Sequence, residues 1–106
     1  VIVLDATVMD IVDVLQGLKP GGRVLVNSQQ KKEFSGYTSS YVDLTGIALR
    51  EKLVVSGSPI LNTPVIGALA KMGIVSVDSA KKAIREMFAD ERNVKAAETA
   101  YQEMSA

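Results

Sequence analysis

The polar residues most able to do chemistry in this chain stand at the ends of short apolar segments. Asp5 follows Val1-Ile2-Val3-Leu4, Asn27-Ser28 follow Val24-Leu25-Val26, Thr45 follows Leu44, and Asn62-Thr63 follow Ile60-Leu61. In an open parallel sheet, ligands bind beyond the carboxyl ends of the strands. That places Asn27, Ser28, Asn62 and Thr63 on a candidate ligand-binding rim. Thr63 also precedes Pro64, a residue suited to the first position of a helix. The unpaired N–H groups and partial positive charge at a helix start suit a phosphate or carboxylate. The same residue types serve equally as plain helix caps. Asp5 is placed either to bind a ribose hydroxyl or to cap the turn after it. Lys31 and Lys32 could hold phosphates as point charges, or face water as a solvated loop. Phe34 and Tyr37 in that loop could stack on an adenine or anchor the loop to the surface.

The composition excludes much more than it suggests. His and Cys are both absent, which removes Ser-His-Asp and Cys-His catalysis, disulfides, and His- or Cys-ligated metals and clusters within these residues. Lys+Arg and Asp+Glu are 12 each, for a formal net charge of zero, so no basic nucleic-acid footprint exists. No apolar run approaches the ~20 residues of a membrane span. G-x-G-x-x-G and the P-loop signature are missing too. The chain is therefore not expected to be an enzyme by itself.

The elements that must position these residues follow from patterning over 106 residues, 47% of them hydrophobic, enough for one domain with a real core. Residues 1–4 are a continuous β-branched and Leu run, as in a sheet covered on both faces, and Arg23 to Val26 reads as a second short strand. Val8, Ile11, Val12 and Leu15 fall at helical spacing, with Thr7 as cap, so residues 8–16 are predicted to be a helix between two parallel strands. The run 17–22, GLKPGG, turns the chain. Residues 28–39 are polar and read as a loop. A third strand is expected over 40–44, and a short helix capped by Thr45 over 46–52. Ile60-Leu61 reads as the end of an extended segment. Thr63, Pro64 and Gly73 punctuate the next helix. Gly67 inside it costs about 1 kcal/mol against Ala, and close approach of another backbone would explain its use. Asp78 is expected to cap a helix with the stripe Ala80, Ala83, Ile84, Met87, Phe88. Asp90 is expected to cap a last helix with Val94, Ala97, Tyr101 and Met104 inward. The fold class is α/β, a Rossmann-like parallel sheet flanked by helices and lacking the usual N-terminal glycine-rich unit. The edge of the 1–4 strand is expected to be bare in these residues alone.

Three stretches carry a resemblance: VIVLDATVMDIVDVLQGLKPGGRVLVNS at 1–28, DLTGIA at 43–48, and GSPILNTPVIGALAKMGIVSVDSAKKAIREMF at 57–88. Their order and spacing, above all G-x-P-I-x-N-T-x-x-x-G-A-x-A-K followed by G-I-V-S and an amphipathic helix, resemble the gamma subunit of pyruvate:ferredoxin oxidoreductase. More broadly they are similar to the gamma domain of the 2-oxoacid:ferredoxin oxidoreductases. Asn93-Val94 and Tyr101 resemble that family's tail. The resemblance covers nearly the whole chain, as a C-terminal portion of the gamma domain, with part of its pocket expected before Val1. It implies a subunit of a hetero-oligomeric, cytoplasmic enzyme of anaerobic metabolism that decarboxylates a 2-oxoacid and passes the acyl group to coenzyme A. It further implies that thiamine diphosphate, Mg and iron–sulfur clusters lie in alpha, beta and delta-type partner subunits, with ferredoxin as electron acceptor. By the match of motifs, Asn62-Thr63 correspond to the family's Asn-Thr near the active site, and Asn27-Ser28 to its strand-end Asn-Ser. Coenzyme A contact is thereby implied for this rim.

Two other readings use the same residues. LKPGG-R-V-L-V also occurs after a helix in S-adenosylmethionine methyltransferases, but that fold would continue as an antiparallel edge hairpin, whereas residues 63–106 read as helices. A non-catalytic interaction domain with a Rossmann-like fold is the third.

Overall fold

A computed structural model describes residues 1–104. The chain divides into two compact units, Val1–Val42 and Asp43–Met104.

The first unit is built on three strands, β1 (Ile2–Val3), β2 (Arg23–Asn27) and β3 (Thr38–Val42), in the order β1-β2-β3 with both pairings parallel. Ile2 pairs with Leu25 and Val3 with Val26, so the two apolar runs lie side by side as expected. Val24, Leu25 and Val26 are completely buried, the signature of an interior strand. Phe34 and Tyr37 pack with Leu15 and Leu18 onto Val3, Val24 and Val26. Ile2 on β1 and its flanking residues Val1 and Leu4 each remain more than two-fifths exposed.

The connection from β1 to β2 is not the predicted helix over 8–16. A five-residue 3₁₀ helix covers Ala6–Asp10 and turns follow it. The cap is Asp5, not Thr7: its carboxylate accepts from the Thr7 N–H at 3.0 Å. Ile11 is 83% exposed and Val12 54%, so little burial supports a helix there. Three of the four stripe residues are β-branched, which lowers helix propensity. Asp13 adds a competing local turn, accepting from the Leu15 N–H at 3.2 Å. β3 lies two residues earlier than predicted, and it ends at Val42 because Asp43 leaves the strand to cap the next helix.

The second unit holds α1 (Leu44–Arg50), a hairpin of β4 (Val54–Val55) and β5 (Ser58–Pro59), then α2 (Pro64–Lys71), α3 (Val77–Met87) and α4 (Arg92–Glu103). Asp43, rather than Thr45, caps α1 by accepting from the Gly46 N–H at 2.9 Å. At the other end of α1, Lys52 N–H reaches Leu49 O at 3.1 Å and Leu53 N–H reaches Ala48 O at 2.8 Å. This paired pattern is a Schellman motif, and Gly is its usual residue at the left-handed position. Here that position is Lys52, at φ 58°, a conformation costing an L-residue roughly 1–2 kcal/mol. The hairpin turn places Ser56 at φ 51° and Gly57 at φ 81°, two positive φ values as in a type I′ turn.

α2 packs on α4 at unusually short range. A Cβ added at Gly67 would lie 2.6 Å from the Ala97 carbonyl carbon and 2.8 Å from its Cα, so the expectation of close backbone approach is met. Ala96, Ala97 and Ala100 are buried on α4 with Val94 and Met104, and Tyr101 is half-buried. α3 is capped by Ser76, whose hydroxyl accepts from the Ser79 N–H at 3.1 Å. Asp78, predicted as that cap, stands inside the first turn, where its charge still suits the helix dipole. Of the predicted α3 stripe, Ala80 and Ile84 are buried, while Met87 is 76% exposed and Ala83 is exposed. The inward face is therefore narrower than the five-residue stripe. The N-cap of α4 is Glu91, which makes no side-chain cap bond, rather than the predicted Asp90; Asp90 stands one residue earlier and still accepts from the Arg92 N–H at 2.9 Å. No helix among the described residues is long and apolar enough to cross a membrane.

Candidate functional site

In the first unit, Asn27 and Ser28 stand at the carboxyl end of β2. Asn27 Nδ2 donates to Leu4 O at 3.0 Å, joining the ends of β1 and β2. The Ser28 hydroxyl donates to Gln30 O at 2.8 Å and accepts from the Gln30 N–H at 3.0 Å, which folds the chain into a tight local turn. Asp5 at the end of β1 accepts from the Thr7 hydroxyl at 2.6 Å as well as from its N–H. Those two bonds, the hydroxyl's first, hold its carboxyl below the ordinary 3.8. Asp5 is therefore a cap. Phe34 and Tyr37 are core anchors of the 28–39 loop. Lys31 pairs with Glu33 at 3.1 Å on the surface.

In the second unit, the adjacent pair Asn62-Thr63 separates into two fates. Thr63 is fully buried and stands at the N-cap of α2 without making a side-chain cap bond. Its hydroxyl donates instead to Asn93 Oδ1 at 3.1 Å. The first turn of α2 does not offer free N–H groups: Pro64 has none, Val65 N–H reaches Leu61 O at 3.1 Å, and Ile66 N–H reaches Thr63 O at 3.1 Å. Asn62 is exposed and its side chain has no hydrogen-bond partner among the described residues.

Asn62 lines a groove of about 400 Å³ that the strand leading into the hairpin shares with the α3–α4 turn, a size suited to a small ligand. Leu53, Val54 and Phe88 supply apolar surface, and Lys52, Arg92 and Asn93 supply polar positions. Asn93 is only 7% exposed and its Nδ2 donates to Asp90 O at 3.0 Å. The Arg92 guanidinium is clamped: Nε and Nη2 reach Asp90 Oδ2 at 2.8 and 2.6 Å, and Nη1 reaches Lys52 O at 3.2 Å. The Arg92 bonds hold the Asp90 carboxyl below 3.8. Sequence reasoning misses Lys52, because nothing in its type marks a left-handed helix end. Asn93 is visible in the sequence only through the resemblance. The described residues contain no cluster of three or more acidic residues able to hold a metal ion.

The chain is similar to known proteins over nearly its whole length. The family model described as pyruvate ferredoxin/flavodoxin oxidoreductase matches residues 1–103. The chain is 47% identical over 108 residues to the pyruvate synthase subunit PorC of Methanocaldococcus jannaschii, covering 98% of this chain and 58% of that protein. It is 43% identical to the pyruvate/ketoisovalerate oxidoreductases common subunit gamma of Thermococcus kodakarensis, covering 95% of this chain and 58% of that protein. The crystal structure of the pyruvate oxidoreductase subunit PORC from Thermotoga maritima superposes with a TM-score of 0.79 at 32% identity, over 98% of this chain and 62% of that one. The chain thus spans rather more than half the length of the relatives it matches. A methyltransferase would not produce these matches, and the helices α2, α3 and α4 stand where that fold would continue as a hairpin. The α/β class and the resemblance both hold: the chain belongs to the pyruvate ferredoxin/flavodoxin oxidoreductase family.

Proposed function

We propose that this chain is the gamma, PorC-type part of a 2-oxoacid:ferredoxin oxidoreductase, acting on pyruvate and working in the cytoplasm. The observation that carries this reading is the 47% identity to a pyruvate synthase subunit across 98% of the chain. In this role the chain contributes to coenzyme A binding and packs beside the thiamine diphosphate site, without performing the chemistry alone. The absence of Cys and His from the sequence accords with iron–sulfur clusters, thiamine diphosphate and Mg being held by alpha, beta and delta-type partner subunits. When bound there, thiamine diphosphate supplies the carbanion chemistry of decarboxylation and the clusters carry electrons to ferredoxin.

What this chain offers is a groove with apolar walls in which the Asn62 amide stands beside Lys52, Asp90, Arg92 and Asn93. Such a groove fits the amide-bearing arm of coenzyme A and its neutral thioester-forming end. Thr63 supports it from behind by fixing Asn93, and Asn27 and Ser28 fix the β1 and β2 ends. The test is reconstitution: the full-length subunit containing this chain, co-expressed with candidate partner subunits. Stable co-purification and coenzyme A-dependent reduction of ferredoxin by pyruvate are expected. Failure to co-assemble, or activity indifferent to this subunit, overturns the reading.

A further inference from the structure

The groove beside the hairpin is bounded by two stretches distant in sequence. Residues 52–62, from the end of α1 through the β4–β5 hairpin, form one wall, and the α3–α4 turn over 88–93 forms the other. Among the described residues, one hydrogen bond crosses between these walls: Arg92 Nη1 donates to Lys52 O at 3.2 Å. The other nitrogens of the same guanidinium, Nε and Nη2, donate to Asp90 Oδ2 at 2.8 and 2.6 Å. A planar guanidinium can hold both partners at once, whereas an ammonium is a point charge. Arg92 is also the residue that this groove shares with a second cleft, of about 430 Å³, where Glu51, Lys95 and Glu98 stand. The guanidinium therefore stands between the two. Arg92 and Asp90 are each about half exposed, so their pairing adds little to global stability. Its effect falls on local opening, whose free energies run down to nearly zero. The nearest such opening is where the hairpin leaves α1: Lys52 is exposed at φ 58°, and the Leu53 N–H reaches Ala48 O at 2.8 Å.

We propose that Arg92 is a positioning residue for the hairpin wall. Held by Asp90, it acts as a latch on the Lys52 carbonyl, sets the spacing between the hairpin and the α3–α4 turn, and keeps the groove separate from the charged cleft. The buried Thr63–Asn93 bond holds the starts of α2 and α4 together without it. Loss of the latch thus loosens the hairpin at Lys52 and Leu53 and leaves the helix pairing intact. The latch belongs to the chain's own walls, whichever ligand enters the groove.

Hydrogen exchange at the Leu53 amide reads the latch, measured in the full-length subunit containing this chain. Arg92→Gln is expected to speed that exchange about three- to tenfold, with amides inside α2 and α4 and the thermal midpoint little changed. Arg92→Lys keeps a charge beside Asp90 but lacks the fork, so Leu53 is expected to stay fast. Lys95→Gln removes the 3.6 Å pair with Glu51 between the α1 end and α4, and is expected to leave Leu53 at its wild-type rate. In wild type, added salt should speed Leu53 toward the Arg92→Gln rate, while that variant itself shows no such response. Unchanged Leu53 exchange in Arg92→Gln overturns the latch, as does full rescue by Arg92→Lys or an equal effect of Lys95→Gln. Equal acceleration throughout α2 and α4 overturns it too, because Arg92 then supports the whole unit and does not position the hairpin. The wild-type salt series needs no substitution, and a flat response at Leu53 overturns the proposal even where the variants fold poorly.

Discussion

Thr63 Oγ1 donates to Asn93 Oδ1 at 3.1 Å, with both residues at most 7% exposed, so the start of α2 is tied to the start of α4 by one buried side-chain bond. The tie extends one step further, because Asn93 Nδ2 donates to Asp90 O at 3.0 Å. Among the described residues, no buried side-chain nitrogen or oxygen is left without a partner. Thr63→Val keeps the shape and removes the donor, leaving the Asn93 oxygen buried and unpaired. A loss of about 1–3 kcal/mol in unfolding free energy is expected. Thr63→Val and Asn93→Ala should also be non-additive in a double-mutant cycle read by urea denaturation, since they remove the same bond. Simple additivity would show that the bond contributes nothing beyond the two residues' separate packing.

Gly67→Ala tests the α2–α4 contact with opposed expectations. Helix propensity favours Ala by about 1 kcal/mol. The added methyl, however, would meet the Ala97 backbone, whose carbonyl carbon lies 2.6 Å from the built position. Backbone cannot swing aside as a long side chain can, so overpacking of about 1–3 kcal/mol should win. Destabilisation in thermal melts is expected; a more stable variant would mean that α2 and α4 can separate at little cost.

The hairpin turn is a place where the sequence can be improved. A type I′ turn favours Asn-Gly at its two central positions, and the chain has Ser56-Gly57 there, at φ 51° and 81°. Asn tolerates the left-handed region better than Ser. Ser56→Asn should therefore stabilise by a few tenths of a kcal/mol, and Gly57→Ala should destabilise by roughly 1 kcal/mol. Comparative chemical denaturation measures both. Equal stability of the three forms would place the turn outside the cooperative unit.

What can be read from the residues is what single residue types decide alone. Val24-Leu25-Val26 had to be an interior strand, and its parallel neighbour at Ile2–Val3 followed from the same composition. Pro64 marks the α2 start and Gly67 its close contact. What escapes are choices among neighbours of like chemistry. Asp5 or Thr7, Asp43 or Thr45, and Ser76 or Asp78 are all competent caps, and the backbone angle at each decides which one serves. Helical spacing at Val8, Ile11, Val12 and Leu15 is insufficient because spacing does not reveal whether a stripe meets a covering surface. The candidate site is half legible for a related reason. Adjacent Asn62 and Thr63 look alike as polar cap residues, yet one faces the groove and the other lies in the interior. Lys52 carries no signal, since its place at the end of α1 rests on a φ angle of 58° that the residue type disfavours.

The α3–α4 turn gives a pH dependence whose sign is fixed. The Asp90 carboxyl lies below its ordinary 3.8, first through the Arg92 side chain and then through the Arg92 N–H, and Asp5 lies below it through Thr7. A carboxyl group with a lower pKa folded than unfolded contributes stability at pH values above its unfolded pKa. That contribution disappears as pH falls through the folded pKa, so the loss belongs to the acid side, below about pH 4–5. Both groups are exposed, so solvent and salt weaken their interactions and the effect of each is small. Asp90→Asn retains an acceptor oxygen but cannot be protonated in this range. Its stability-versus-pH curve should be flatter than wild type on the acid side and lower than wild type at pH 7, where the Arg92 pairing is lost. The difference between the curves should shrink in high salt. Thermal midpoints from pH 3 to pH 7, at low and high salt, make the measurement. A variant whose curve runs parallel to wild type throughout would show that Asp90 is equally acidic in the unfolded chain, and that the clamp on Arg92 contributes no stability.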